Sequence, residues 1–155
     1  MIRAEESIII DRPLEEVFAW VGDQTNGPHW QSGLVEVRRT TEGPVGVGTK
    51  HTLVRKFMGR RLDADNEYVA YEPNKRIVFK TTSGPVRVEA SYLVEPAAGG
   101  VRLTSRIEMD ASRFLSLADP LIAAGLKREM KAALRVLKNG LEGRTFQVAA
   151  RPSTS

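Results

Sequence analysis

Residues 119–142 read DPLIAAGLKREMKAALRVLKNGLE, and their spacing decides the fold. Asp119 suits an N-cap, and Pro120 fits the first helical position, where its missing N–H costs nothing. From there Ile122, Leu126, Met130, Leu134, Leu137 and Leu141 recur three or four apart, which is one face of an α-helix. At 1.5 Å per residue the segment from Pro120 to Glu142 spans roughly 35 Å, enough to cross a domain of this size. Gly143 ends the pattern. Such a helix should lie across the strands that precede it, and a helix lying in a curved sheet encloses a cavity rather than a solid core. Function then means holding something apolar.

Upstream, strand and turn signals alternate. Glu6 to Asp11 (ESIIID) reads as a first strand, and the consecutive Ile8, Ile9 and Ile10 place it well inside a sheet, with neither face fully solvated. Pro13 then fits the start of a short helix. Glu15 and Glu16 sit at the positive end of its macrodipole, Val17, Phe18, Trp20 and Val21 form its apolar face, and Gly22 stops it. Asp23 to Gly33 (DQTNGPHWQSG) is a loop or a single helical turn carrying His29 and Trp30. Six strand signals follow, at 34–41, 49–58, 61–71, 76–82, 86–94 and 101–109, separated by turn formers. The last two are the clearest period-two strands. Val86, Val88, Ala90, Tyr92 and Val94 share one face, and Val101, Leu103, Ser105, Ile107 and Met109 another, with small Ala90 and Ser105 leaving room between larger neighbours.

Composition narrows the class. One domain over residues 1–143 is expected, with 144–155 as a flexible tail poor in packing residues. Cysteine is absent, which removes disulfides, thiolate nucleophiles and cysteine metal sites together and is compatible with a reducing cytoplasm. The start, MIRAEES, has no apolar h-region, and no stretch approaches the ~20 apolar residues of a membrane span. The expectation is a cytoplasmic protein, a monomer or homodimer. The 23 basic and 19 acidic side chains give +4 with alternating signs, a balance that speaks for solubility and not for a nucleic-acid partner.

The candidate chemistry is sparse. His29 and His51 are the only histidines and fall at no metal-ligand spacing, so neither a metal nor a cofactor is expected. His51 shares a strand face with Leu53 and Arg55. If that face points inward, His51 and Arg55 orient a ligand carbonyl or carboxylate; the other register buries Thr52, Val54 and Met58 instead, and a one-residue slip separates the two. The polar stretch Arg61 to Tyr68 is an exposed strand or, alternatively, one whose Asp65 and Glu67 turn inward as acid–base groups. Trp30 is expected at the pocket mouth, and Tyr92 on the cleanest inward face. Lys127, Lys131, Arg135 and Lys138 flank the apolar helix stripe. With Phe114, Leu115 and Leu117 they would make either a solvated basic flank or a membrane-docking edge. No G-x-S-x-G is present, and the Gly43 to Gly48 cluster opens no helix, so it is a turn and not a phosphate cradle.

The order of one strand, a helix, a loop, six strands and a helix carries a resemblance. So do Asp11-Arg12-Pro13-Leu14-Glu15-Glu16-Val17-Phe18, Asn26-Gly27-Pro28-His29-Trp30, Gly46-Val47-Gly48-Thr49 and Tyr71-Glu72-Pro73. From about Ile2 to Leu141 the chain resembles the START-like (SRPBCC, Bet v 1-type) superfamily, in its polyketide cyclase/dehydrase or lipid-transport branch. That resemblance implies an α+β helix-grip fold: a seven-stranded antiparallel sheet curved around the carboxy-terminal helix, with an apolar pocket between them. It implies a lipid, polyketide or quinone-like ligand and leaves the use of the pocket open. The expected ligand-contacting set is Trp30, His51, Leu53, Arg55, Val88, Tyr92, Leu103, Ile107, Leu126 and Met130. Two functions follow. One is a carrier of an apolar small molecule, with transient membrane contact as a further partner. The other is a cyclase or dehydratase in which His51, Arg55, Tyr92 or a buried Asp65 or Glu67 polarises a carbonyl and moves a proton.

Overall fold

A computed structural model describes residues 1–57, 59–110 and 119–143. The strands are β1 (Ile2–Ile10), β2 (Leu34–Arg39), β3 (Lys50–Phe57), β4 (Arg60–Glu72), β5 (Arg76–Ser83), β6 (Arg87–Ala97) and β7 (Gly100–Asp110). Helix α1 (Leu14–Gly22) and a 3-10 turn (Gln24–His29) follow β1, and α2 (Asp119–Glu142) closes the domain. All seven strands form one antiparallel sheet in the order β1-β7-β6-β5-β4-β3-β2, the α+β helix-grip architecture. The expected tail, 144–155, lies outside the described residues.

The sheet curves because its register slips. Shifts fall between Leu34 and Glu36, where β2 carries the extra residue, between Asp65 and Asn66, where β5 carries it at Thr82, and between Tyr68 and Ala70, where β4 carries it. Each extra residue bends its strand and increases the local twist. Cross-strand neighbours then define the concave face, among them Leu53 with Ala64, Phe79 with Ala90, Val88 with Met109, and Tyr92 with Ser105. The α2 stripe faces them: Ile122, Met130, Leu134, Leu137 and Leu141 are buried, and Leu126 is half-buried.

Two points differ from the sequence expectation. Strand β1 lies at the sheet edge and not inside it, paired only to β7. Its apolar run is covered by α2 rather than by a second strand, and the helix satisfies the edge: Lys138 Nζ donates to the Ile9 carbonyl at 2.7 Å. Glu142 Oε2 accepts from the Asp11 backbone N–H at 2.7 Å and from Lys138 at 2.7 Å. Pro13 is the N-cap of α1, one residue before the expected position, with extended backbone at φ −58° and ψ 144°.

Packing divides into two apolar clusters. The larger gathers α1, the concave strands and the C-terminal half of α2 around Phe18, Trp30, Tyr68, Ile77, Leu103, Leu134 and Leu137. The smaller joins Ile2, Val86, Met109 and Ile122 under the N-terminal half of α2. A cavity borders both.

Candidate functional site

Between α2, the concave sheet and the 24–34 segment lies a cavity of about 180 Å3. That is an order of magnitude beyond the roughly 10–15 Å3 one water requires. Its walls are largely apolar, with Leu62, Val86, Val88, Ile107, Met109, Leu126, Met130 and Leu134 contributing. Exposed residues Ser32, Arg55, Pro85 and Glu129 also line it and mark where it opens.

The 24–34 segment is held in place by local chemistry. Asp23 caps the 3-10 turn, its Oδ1 accepting from the Thr25 backbone N–H at 3.0 Å and the Thr25 hydroxyl at 2.6 Å. A Cβ on Gly27 would stand 2.5 Å from Leu34 Cδ2, so a larger residue here would have to displace the buried Leu34 side chain on which the turn packs. The result places Trp30 in the wall, 5% exposed, with its ring 5.7 Å from that of Tyr92.

Two hydrogen-bonded polar groups interrupt the apolar lining, to which Lys56, Thr81 and Ser105 also contribute. In the first, the side-chain amides of Gln24 and Asn66 pair reciprocally, at 3.1 Å and 2.9 Å, and Gln24 Nε2 also donates to His51 Nδ1 at 3.4 Å. His51 itself stands behind the wall, 1% exposed, its ring 5.4 Å from that of Tyr68. With Nδ1 accepting, the neutral ring carries its proton on Nε2, an atom with no hydrogen-bond partner among the described residues. Burial lowers the His51 pKa; Asp23 raises it and Arg39 lowers it.

The second group joins three elements. Arg55 of β3 donates to Gln31 Oε1 at 3.5 Å, and Gln31 Nε2 donates to the Tyr92 hydroxyl at 3.2 Å. Arg55 lines the cavity and keeps accessible surface, and the packing around its guanidinium lowers its pKa, against the charges of Tyr92 and Glu129, which raise it. Burial pushes the Tyr92 phenol up to about 12, while Arg55 and the Gln31 hydrogen bond pull the other way. Tyr92 therefore stays protonated at any physiological pH.

The structure thus brings Trp30, Leu53, Arg55, Val88, Tyr92, Ile107, Leu126 and Met130 to one cavity. His51 and Leu103 do not line it; Leu103 is fully buried in the larger cluster. The register at β3 is the one that turns His51, Leu53 and Arg55 inward. Asp65 points away from the cavity, accepting from the Thr52 and Ser83 hydroxyls at 2.9 Å each, and Glu67 is likewise absent from the wall. His29 is exposed beside Trp20, 6.0 Å between rings. On α2, Lys127 lies 3.7 Å from Glu6 and Lys138 is engaged with Glu142, whereas Lys131 and Arg135 are exposed. Phe114, Leu115 and Leu117 lie outside the described residues. Among the described residues no helix is long and apolar enough to cross a membrane, and no group of three acidic or histidine side chains is placed to hold a metal.

Sequence reasoning missed Gln24, Gln31 and Asn66. A signal for Asn66 existed: Leu62, Ala64, Asn66 and Tyr68 alternate with Arg61, Asp63, Asp65 and Glu67, so the strand read as uniformly polar has an inner face. Gln24 and Gln31 lie among turn formers with no periodicity to read.

Comparison with known proteins agrees with this architecture. Residues 1–142 match the family model for polyketide cyclase/dehydrase and lipid transport. No curated protein matches the chain. Among solved structures, a START superfamily protein from Mycobacterium smegmatis superposes with a TM-score of 0.68 at 16% identity, over 92% of this chain and 95% of that one. TTHA0849 from Thermus thermophilus gives 0.69 at 20%, over 97% and 99%. The di-domain ARO/CYC BexL from the BE-7585A biosynthetic pathway gives 0.67 at 19%, over 98% of this chain and 48% of its own. At these identities the likeness is one of fold.

Proposed function

The chain belongs to the polyketide cyclase/dehydrase and lipid-transport family, and from that premise we propose that residues 1–143 form a binding domain for a small, mostly apolar molecule of lipid, polyketide or quinone-like character. The observation that carries this reading is the cavity itself, about 180 Å3 with a mainly aliphatic and aromatic lining. Burying ligand carbon against Leu53, Val88, Ile107, Leu126 and Met130 would contribute about 25 cal/mol per Å2 removed from water. Trp30 and Tyr92 would add ring contacts, and the Arg55–Gln31–Tyr92 chain would orient one polar group. Native mass spectrometry of the purified full chain tests the proposal. A co-purifying apolar molecule, displaced by an added hydrophobic dye, is the expected result; failure of any hydrophobic probe to bind would remove it.

A second reading, a cyclase or dehydratase, draws on the same polar chain. Tyr92 would donate to a substrate carbonyl and Arg55 would stabilise the developing enolate. It ranks second because no candidate base among the described residues is placed beside Tyr92 and Arg55: His51 stands behind the wall, Glu129 is exposed, and Asp23 Oδ1 serves as the cap that holds Thr25. Loss of water from a bound poly-β-ketone, followed by mass, would reverse that ranking.

A further inference from the structure

The polar corner of the cavity has a direction. A guanidinium only donates, so the Gln31 oxygen must face Arg55 and its NH2 must face Tyr92. The Tyr92 oxygen is thereby occupied as an acceptor, and its own proton has no acceptor among the described residues although the residue is 8% exposed. Arg55 is in the same position. It makes no ion pair among the described residues, its one hydrogen bond is long at 3.5 Å, and Glu129, the acid nearest in effect, stands exposed on α2. The corner therefore presents unused donors from Arg55, Gln31 and Tyr92, one of them cationic, and the Gln31 oxygen is the one acceptor bonded to them among the described residues. Leaving the buried Tyr92 proton without an acceptor is costly, and a ligand that supplies acceptors to it and to the solvent-accessible Arg55 beside it removes that cost.

We propose that the cavity selects an apolar skeleton ending in a carboxylate, whose two oxygens take the Arg55 guanidinium and the Tyr92 hydroxyl. A carboxylate is acceptor-only, matches the planar guanidinium fork, and forms stronger bonds to it than a neutral oxygen does. The aliphatic remainder extends along Val88, Ile107, Leu126 and Met130. Asp23, whose Oδ1 accepts twice from Thr25, makes no hydrogen bond or ion pair with Arg55 or Tyr92. This inference rests on the binding reading above and narrows it to one end-group chemistry.

Calorimetric titration of the full chain with decanoic acid, 1-decanol and methyl decanoate separates the two levels. At about pH 8 the ligand acid is ionised while Arg55 and Tyr92 keep their protons. The acid should then bind tighter than the alcohol or the ester by about tenfold or more, the scale of hydrogen bonds to a charged group. Arg55→Gln should bring the acid to within about threefold of the alcohol while the alcohol is unchanged, and Arg55→Lys, which keeps charge without the fork, should retain part of the preference. Equal binding of acid and alcohol by the unmutated protein overturns the carboxylate assignment and leaves the cavity reading standing, a result that needs no variant to fold. An equal loss of all three ligands in Arg55→Gln, with an unchanged urea midpoint, overturns it as well. If none of the three binds while a hydrophobic dye does, the carboxylate assignment falls and the cavity reading stands; if the dye fails as well, both fall.

Discussion

At neutral pH the Tyr92 hydroxyl keeps its proton, since burial raises its pKa to about 12, and it acts on a ligand as a neutral donor. Tyr92→Phe should therefore weaken a carbonyl-bearing ligand by about 0.5–1.5 kcal/mol and leave a plain alkane-like ligand unaffected, as measured by competitive dye displacement. His51 makes a different prediction, because it stands behind the wall. Its pKa is depressed below 6.5, chiefly by burial, so between the folded value and 6.5 the unfolded chain holds a proton that the folded chain lacks. Stability therefore rises with pH through that window and is lost as pH falls below about 6.5. The urea midpoint should drop between about pH 7.5 and pH 5.5, and His51→Asn, whose amide oxygen can accept from Gln24 in place of Nδ1, should flatten that slope even if it lowers stability throughout. A slope that survives the substitution would assign it elsewhere. Glu142 acts in a separate, more acidic window, its pKa being lowered below 4.5 by the Asp11 N–H and Lys138.

Elements are held by contacts that tolerate little change. Leu134, 2% exposed, packs in the larger cluster and also lines the cavity, so Leu134→Ala should cost about 2–5 kcal/mol, read as a shift in urea midpoint. A loss under about 0.5 kcal/mol would contradict the burial of the α2 stripe. The turn between β6 and β7 is equally specific. Gly100 has φ +135°, and a Cβ there would stand 2.2 Å from the Ile10 carbonyl oxygen and 2.9 Å from Asp11 Cα. These are backbone atoms of the edge strand and the residue after it. Gly100→Ala should cost at least about 1–3 kcal/mol from the conformation alone, with the clash in addition, and should loosen β1 first. Faster amide exchange in residues 2–10 than in β6 would show it.

For the whole molecule the question is what filling the cavity does. Trp30 lies in the wall and Trp20 does not, so a hydrophobic ligand should change the emission of Trp30, and Trp30→Phe should abolish most of that change. Emission that persists in Trp30→Phe would mean that the 24–34 segment is only structural. A ligand at a hundred times its Kd should also raise unfolding stability by about 2.7 kcal/mol. Much of this architecture was legible in the chain itself. The apolar stripe of 122–141 and the alternation in 86–94 and 101–109 are local periodicities, set by 3.6 and 2 residues per repeat, and the helix and the two inner strand faces stand where those periods put them. Other decisions were not local. Ile8, Ile9 and Ile10 demand cover but do not say whether a strand or a helix provides it. The face of β3 depends on a single-residue register, and its neighbours Thr52 and Val54 would have made an equally apolar inner side. The corner made of Gln31, Arg55 and Tyr92 has no sequence signature, since its members come from a loop, β3 and β6 and meet only because bulges curl the sheet and the Asp23 cap turns the chain across it. Short-range periodicity determines which side of each element is apolar; which polar groups are left facing one another is decided by long-range register and curvature, which no window of sequence contains.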